Sequence, residues 1–199
     1  MIYQLKLLGL VVTSDLNWGE HVDYTIQRIN KTIWQLIRLK NMKAPRLKLL
    51  EFFKMKIRSI LMFGSSCFHS SLTADQSRLL EVQQKRCLAI ILAGDYRSYG
   101  HALALTGLPL LSTLREEAAI RWATKAQADP RHRHLFPTRP STANTRSGTT
   151  FKEYQCRTSK FYASAVPAMT RALNARGISP AGTRAQTTIT TNSGATIVI

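Results

Sequence analysis

Apolar side chains recur along this chain at two different periods, and the change of period organises it. Residues 5–12 crowd leucine and valine together, interrupted by Gly9, which predicts a β-strand covered on both faces. Such a strand needs neighbours, and no second strand is evident nearby. From Val22 the spacing becomes helical. Val22, Ile26, Ile29, Ile33, Leu36 and Ile37 fall three and four apart, and Asp23, Gln27, Lys31, Gln35 and Arg38 fall largely opposite them. Asn17 with Glu20 supplies the helix-start signal. Residues 40–44 are a basic connector, and Pro45 suits the first turn of a new helix. That helix turns Leu49, Leu50, Phe53, Ile57, Ile60 and Leu61 inward and ends near Gly64.

The segment 72–94 carries the clearest helix boundaries. Thr73 and Gln76 form a capping box, and Gly94 is suited to the left-handed residue that closes a helix. Between them Leu79 or Leu80, Val82, Cys87 and Ile90 or Ile91 recur at helical spacing, with Lys85 and Arg86 breaking the apolar run. A short helix is expected over residues 98–105, before Gly107 and Pro109. Thr113 with Glu116 then opens a helix with Leu114, Ala118 and Trp122 on one face, which stops before Pro130. The pattern therefore predicts a mainly α fold, a small helical bundle with one N-terminal β-strand and a largely irregular C-terminal tail. Its parts are a terminal strand (1–16), the bundle (17–129), a basic extension (130–174) with a short helix near 164–174, and a disordered tail (175–199).

Charge narrows the choice of partner. The 199 residues hold 28 Lys and Arg against 11 Asp and Glu, a net charge of +17 and a pI near 10.5. Such a field favours polyanions, nucleic acid first and an anionic membrane second. No run reaches ~18 apolar residues, so no transmembrane helix is expected. The apolar N-terminus lacks a small-residue cleavage site, which predicts an intracellular protein of nucleus or cytoplasm that is not secreted. Cys67, Cys87 and Cys156 are odd in number and widely spaced, as buried reduced thiols would be.

Between Arg28 and Ser71 stand ten basic residues and a single acid, Glu51. Arg38, Lys40, Lys43, Arg46 and Lys48 gather at the tip of a helical hairpin. Lys31 precedes them, and Lys54 and Arg58 lie one turn apart on its second arm. With Lys85 and Arg86 they are the candidate nucleic-acid-binding residues, neutralising phosphates and releasing counterions. Trp34, Phe52 and Phe53 fall at helical spacing and read as core rather than as stacking platforms. Catalytic patterns are missing. There is no pair of carboxylates at a strand–turn–strand, no zinc-ligand spacing around His132 and His134 or around Cys67 and His69, no G-x-S-x-G, no Walker loop and no G-x-G-x-x-G. His21 with Asp23 sits at a helix start, where capping and surface roles prevail. No metal or cofactor is expected.

Several stretches, in order and spacing, resemble one family. They are KLLGLVVTSDLNWGEHV (6–22), IRSILMFG (57–64), LTADQSRLLEVQQKRCLAIILAG (72–94), GLPLLSTLREE (107–117), DPRHRHLFP (129–137) and CRTSKFYASAVPAMTRALN (156–174). Together they look like the thumb and downstream region of a non-LTR retrotransposon reverse transcriptase, a LINE-type, jockey-like RNA-directed DNA polymerase. In that family the K-L-G strand closes the palm, and the next helices form a thumb that grips the template–primer duplex. The resemblance implies that Lys31, Arg38, Lys40 and the basic cluster of residues 43–48 lie where thumb contacts occur. The departures are informative. The family's palm aspartates precede the K-L-G strand and have no counterpart here. Met62 and Leu114 replace a common Glu and Arg, and residues 175–199 match nothing in the family. The resemblance thus implies a fragment of a transposable element's polymerase, without catalytic activity alone or a small-molecule substrate, that holds RNA or RNA–DNA duplex by its phosphates. The alternative is a basic helical module that docks acidic proteins or anionic membranes.

Overall fold

The computed structural model describes residues 4–139 and 150–178, together with the backbone of two short strands near the C-terminus. The single strand expected over residues 5–12 is in fact two. β1 (Gln4–Leu7) and β2 (Leu10–Thr13) pair antiparallel, with Leu7 opposite Leu10. Leu8 and Gly9 turn between them with φ of 47° and 88°, positive at both central positions as a type I′ hairpin requires. The missing neighbour was the other half of the same run. Nor is the ribbon covered on both faces. β1 is exposed throughout, and on β2 only Val11 is fully buried, because a two-stranded ribbon lays just one side on the helices.

α1 (Gly19–Asn41) follows, and it buries Val22, Thr25, Ile29, Ile33 and Leu36. Its start differs from the expected Asn17–Glu20 box. Trp18 is the N-cap, and the Asn17 Oδ1 accepts from Gly19 N–H at 3.0 Å and from Gln76 Nε2 at 2.9 Å. Asn17 stands one residue too early to cap, so its oxygen ties the helix entrance to the central helix instead. His21 is buried beside it. Its Nδ1 accepts the Val11 N–H at 3.3 Å, and its ring packs among Trp18 and Phe68. Burial lowers its pKa below the usual 6.5.

The second arm is one continuous helix in three parts: α2 (Arg46–Phe52), a π-helical turn (Phe53–Ile57) and α3 (Arg58–Met62). The π turn has a reason in the sequence. Leu49, Phe53, Ile57 and Leu61 are all buried, a strict four-residue repeat. In a regular α-helix that repeat drifts about 40° per step, and the wider π turn takes up the drift. Gly64 then reverses the chain at φ 66°, where a Cβ would lie 2.6 Å from Leu10 Cδ2, and α4 (Ser65–Phe68) follows. α4 leaves Cys67 exposed, against the expectation of a buried thiol, whereas burial pushes the Cys87 thiol up to about 12.

α5 (Ala74–Leu92) has the expected Thr73–Gln76 capping box. Its buried row is Leu80, Gln84, Cys87, Leu88 and Ile91, whereas Leu79 and Val82 face outward. Ala93 ends the helix one residue before Gly94, with a positive φ of 49° but a ψ of −114°, so the left-handed closing residue expected at Gly94 does not form. α6 (Tyr99–Thr106) is capped by Ser98 and closed by Gly107, close to the expected limits. α1, the α2–α3 arm, α5 and α6 enclose the main core.

α7 (Leu111–Ala128) begins two residues before Thr113, and the Thr113–Glu116 box does not form. Its cap comes from another helix. The Glu81 carboxylate on α5 accepts Leu111 N–H at 3.0 Å and Ser112 N–H at 3.3 Å. Tyr99 Oη also donates to Glu81, and Gln84 Nε2 bridges Tyr99 Oη and the Pro109 carbonyl, each at 3.0 Å. The earlier start turns Leu111, Arg115, Ala119, Ile120 and Ala123 inward. Leu114 and Ala118 are left half-covered, and Trp122 is exposed. Arg115 is fully buried and donates to Ser77 Oγ at 2.6 Å.

Beyond Pro130 the chain builds a second core against the last turns of α7. Phe136, Phe151, Met169 and Leu173 meet Ala119, Ala123 and Ala126 there. α8 (Ser159–Ala163) and α9 (Ala165–Ala175) supply its helical side, α9 lying within a residue of the expected helix. Asn174 clamps Phe151 from both sides, accepting its N–H at 2.9 Å and donating to its carbonyl at 3.0 Å. Within the tail expected to be disordered, β3 (Ile189–Thr190) pairs with β4 (Thr196–Ile197), and the rest of 179–199 lies outside the described residues. The fold is a mainly α helical bundle with an N-terminal hairpin, and no described helix is long and apolar enough to cross a membrane.

Two outcomes follow from this packing. Glu81→Ala removes the cap of α7 and strands Tyr99, which should cost about 2 kcal/mol in urea unfolding. Lowering the pH should also destabilise the chain. His21 and His69 are both held below the usual 6.5, chiefly by burial, so the unfolded chain takes up protons that the fold refuses. The urea midpoint should fall as pH drops through about 6.5, and His21→Gln should remove part of the slope.

Candidate nucleic-acid interface

The corner between α1 and α2 is shaped by the way α1 ends. Lys43 N–H bonds the Lys40 carbonyl at 2.9 Å, and Ala44 N–H bonds the Leu39 carbonyl at 3.2 Å. This is the Schellman pattern, and it puts Lys43 at φ 59°. Glycine holds the corresponding place after α6 (Gly107) and after α9 (Gly177). A side chain in this left-handed conformation costs roughly 1 kcal/mol, so the corner carries a lysine against its own backbone preference.

The cations of the corner fall into two groups. Arg38 and Lys43 are exposed and Lys40 half-exposed, and among the described residues none of them has a carboxylate within 4 Å. Arg46 is held by Asp95, three residues past the end of α5, and Lys48 is held by Glu51 at 2.9 Å. Both pairs are solvent-exposed, of a kind worth about 0–1 kcal/mol, so a phosphate can exchange with the carboxylate. Met42 and Leu47 stand exposed between these cations.

The corner continues along the outward side of α1. Tyr24, Arg28, Lys31, Trp34 and Arg38 succeed one another at steps of three and four, opposite the buried row. Lys6 from the hairpin lies 4.5 Å from the Tyr24 ring centroid, and Arg28 lies 5.7 Å from it. A hydrogen bond from Lys6, helped by the charges of Lys6 and Arg28, lowers the Tyr24 phenol pKa. Trp34 is not the core residue expected from its spacing. It is 58% exposed, with the Arg38 guanidinium 4.7 Å from its ring. Ile29, Ile33 and Leu36 occupy the inward arc, and Trp34 lies about 100° round the helix from Ile33. Phe53 is core, as expected, and Phe52 is half-buried.

The remaining candidates divide. Arg86 joins this face, its Nη1 donating to Asn30 Oδ1 of α1 at 3.0 Å. Lys31 is part of it. Lys85 is exposed about 100° further round α5 from Arg86. Lys54 and Arg58 share the four-residue row of Leu50 and Met62, whereas Ser59 and Ile60 of α3 and Phe63 just after it meet Arg28 across a shallow groove. Among the described residues no hydrogen bond, ion pair or ring contact ties Lys54, Arg58 or Lys85 to the others. Three contributors were missing from the candidate set: Arg28, Trp34 and Tyr24. The signal for them was present, since all three share the polar side of α1 with Lys31 and Arg38.

Among the described residues no group of three His, Cys, Asp or Glu side chains is placed to hold a metal ion. No family model, curated protein or solved structure matches the chain.

The strained corner lysine gives a direct test. Lys43→Gly should stabilise the fold by about 0.5–1 kcal/mol in thermal or urea unfolding, against the usual loss on adding glycine.

Proposed function

We propose that the α1–α2 corner and the outward side of α1 bind the phosphate backbone of RNA or an RNA–DNA duplex. In this reading the chain is a non-catalytic part of a non-LTR retrotransposon RNA-directed DNA polymerase, acting as the grip rather than the chemical centre. One observation carries the binding reading. Arg38, Lys40 and Lys43 lie in the last turn of α1 and the bend after it, without acidic partners among the described residues, and one of them occupies a backbone position that glycine would fill at lower cost. Positive charge kept there against local stability is what a phosphate contact explains. The ordered motifs quoted from the sequence support the family reading, as does a bundle that begins directly after the K-L-G segment.

A second reading has an observation of its own. Met42 and Leu47, 76% and 65% exposed, alternate with Lys40, Lys43 and Arg46, a mixture that also suits an anionic lipid surface.

Fluorescence anisotropy with a labelled RNA–DNA duplex, repeated across salt concentrations, tests the proposal. Four to six phosphate contacts give a slope of log K against log salt of about −3.5 to −5.5, and Arg38→Ala with Lys43→Ala should flatten it by about 2. Binding should vary little with sequence. Absent or salt-insensitive binding overturns the proposal, and binding to phosphatidylserine vesicles without duplex binding favours the lipid reading.

A further inference from the structure

Trp34 has no structural task that accounts for its place. An exposed indole costs solvation and adds nothing to the core that Ile29, Ile33 and Leu36 already fill. It stands in the middle of the basic side of α1, one turn from Lys31 and one turn from Arg38. One face of the ring is already occupied: the Arg38 guanidinium lies over it, 4.7 Å from the ring centroid. That contact orients the ring, and a base would take the other side of the exposed indole or the place Arg38 now holds. On the neighbouring helix, Arg86 is held by Asn30, four residues before Trp34 on α1. From Lys31 to Arg38 the helix runs about 10 Å, the length of roughly three stacked nucleotides.

We infer that Trp34 is a base-stacking platform for an unpaired nucleotide, flanked by Lys31, Arg38 and Arg86 as phosphate contacts. The inference rests on the nucleic-acid reading of this face and makes it more specific. Phosphate contacts alone serve duplex and single strand alike. A ring that presents a π-face among cations can act only on a base that is free of its own stack. The preferred ligand is therefore single-stranded RNA or DNA, or the single-stranded overhang beside a duplex, recognised with little regard to sequence. A lipid partner would use the same indole differently, by burying it in the interfacial layer without a base to stack on.

The test compares two labelled probes, a 15-nucleotide single-stranded RNA and a blunt 15-base-pair RNA–DNA duplex, on the full chain and on Trp34→Ala and Trp34→Phe. Because Trp34 is on the surface, both variants should fold, with thermal unfolding unchanged. Trp34→Ala should weaken single-strand binding about tenfold and blunt-duplex binding less than twofold, with the salt slope unaltered. Trp34→Phe should retain most of the affinity. Unlabelled RNA should quench the wild-type indole emission, and the quenching should shrink in Trp34→Phe. Equal losses on both probes, or no loss on either, overturn the stacking role while leaving the phosphate reading in place. Failure of the wild-type chain to bind either probe overturns both.

Discussion

One-sided packing of α1 is the constraint from which the rest follows. Ile29, Ile33 and Leu36 are buried almost without remainder against the α2–α3 arm and α5. A helix so committed on one arc has no freedom in where its other residues go. Arg28, Lys31, Trp34 and Arg38 must face outward together, and the Schellman turn at its end adds Lys43 to the same region. The π turn serves the same packing from the opposite arm, keeping Leu49, Phe53, Ile57 and Leu61 in one row. Charge is thus concentrated by the core, and no long-range ion-pair design is needed to place it.

The second half of the molecule is tied to the first by polar contacts as well as by the apolar side chains that α7 places in both cores. Glu81 on α5 caps α7, and Tyr99 and Gln84 complete the network around it. α7 then carries Leu111 into the main core and Ala119, Ala123 and Ala126 into the second one. Arg115 lies between them, buried and bonded to Ser77. A carboxylate at a helix N-terminus and a desolvated guanidinium both lose heavily if their partners move, so this joint fixes how α7 sits on the bundle.

Much of this was legible in the sequence where signals were local. The Thr73–Gln76 box, the inward row of α1, Ser98 and Gly107 around α6, and the helix near 164–174 all depend on residues a few positions apart. Errors arose where a distant residue took over a local role. The Thr113–Glu116 box gives way to Glu81, thirty residues upstream of Leu111. Asn17 turns from capping to bonding Gln76. The hairpin was hidden because Gly9 alone marks the turn, and Leu8 is an unusual residue for a positive φ. At the candidate interface, helical spacing alone put Trp34 in the core, whereas the helical wheel of α1 places it beside Lys31, opposite the buried row.

The account stands on a single location for the nucleic-acid contact, and mapping amide and indole shifts of isotope-labelled chain during titration with an RNA–DNA hybrid carrying a single-stranded overhang examines it most directly. Shifts confined to Lys31, the Trp34 indole and residues 38–48, with α7 and α9 unmoved, are the predicted result. Shifts centred instead on the basic residues of 150–178, with the α1–α2 corner silent, would contradict it.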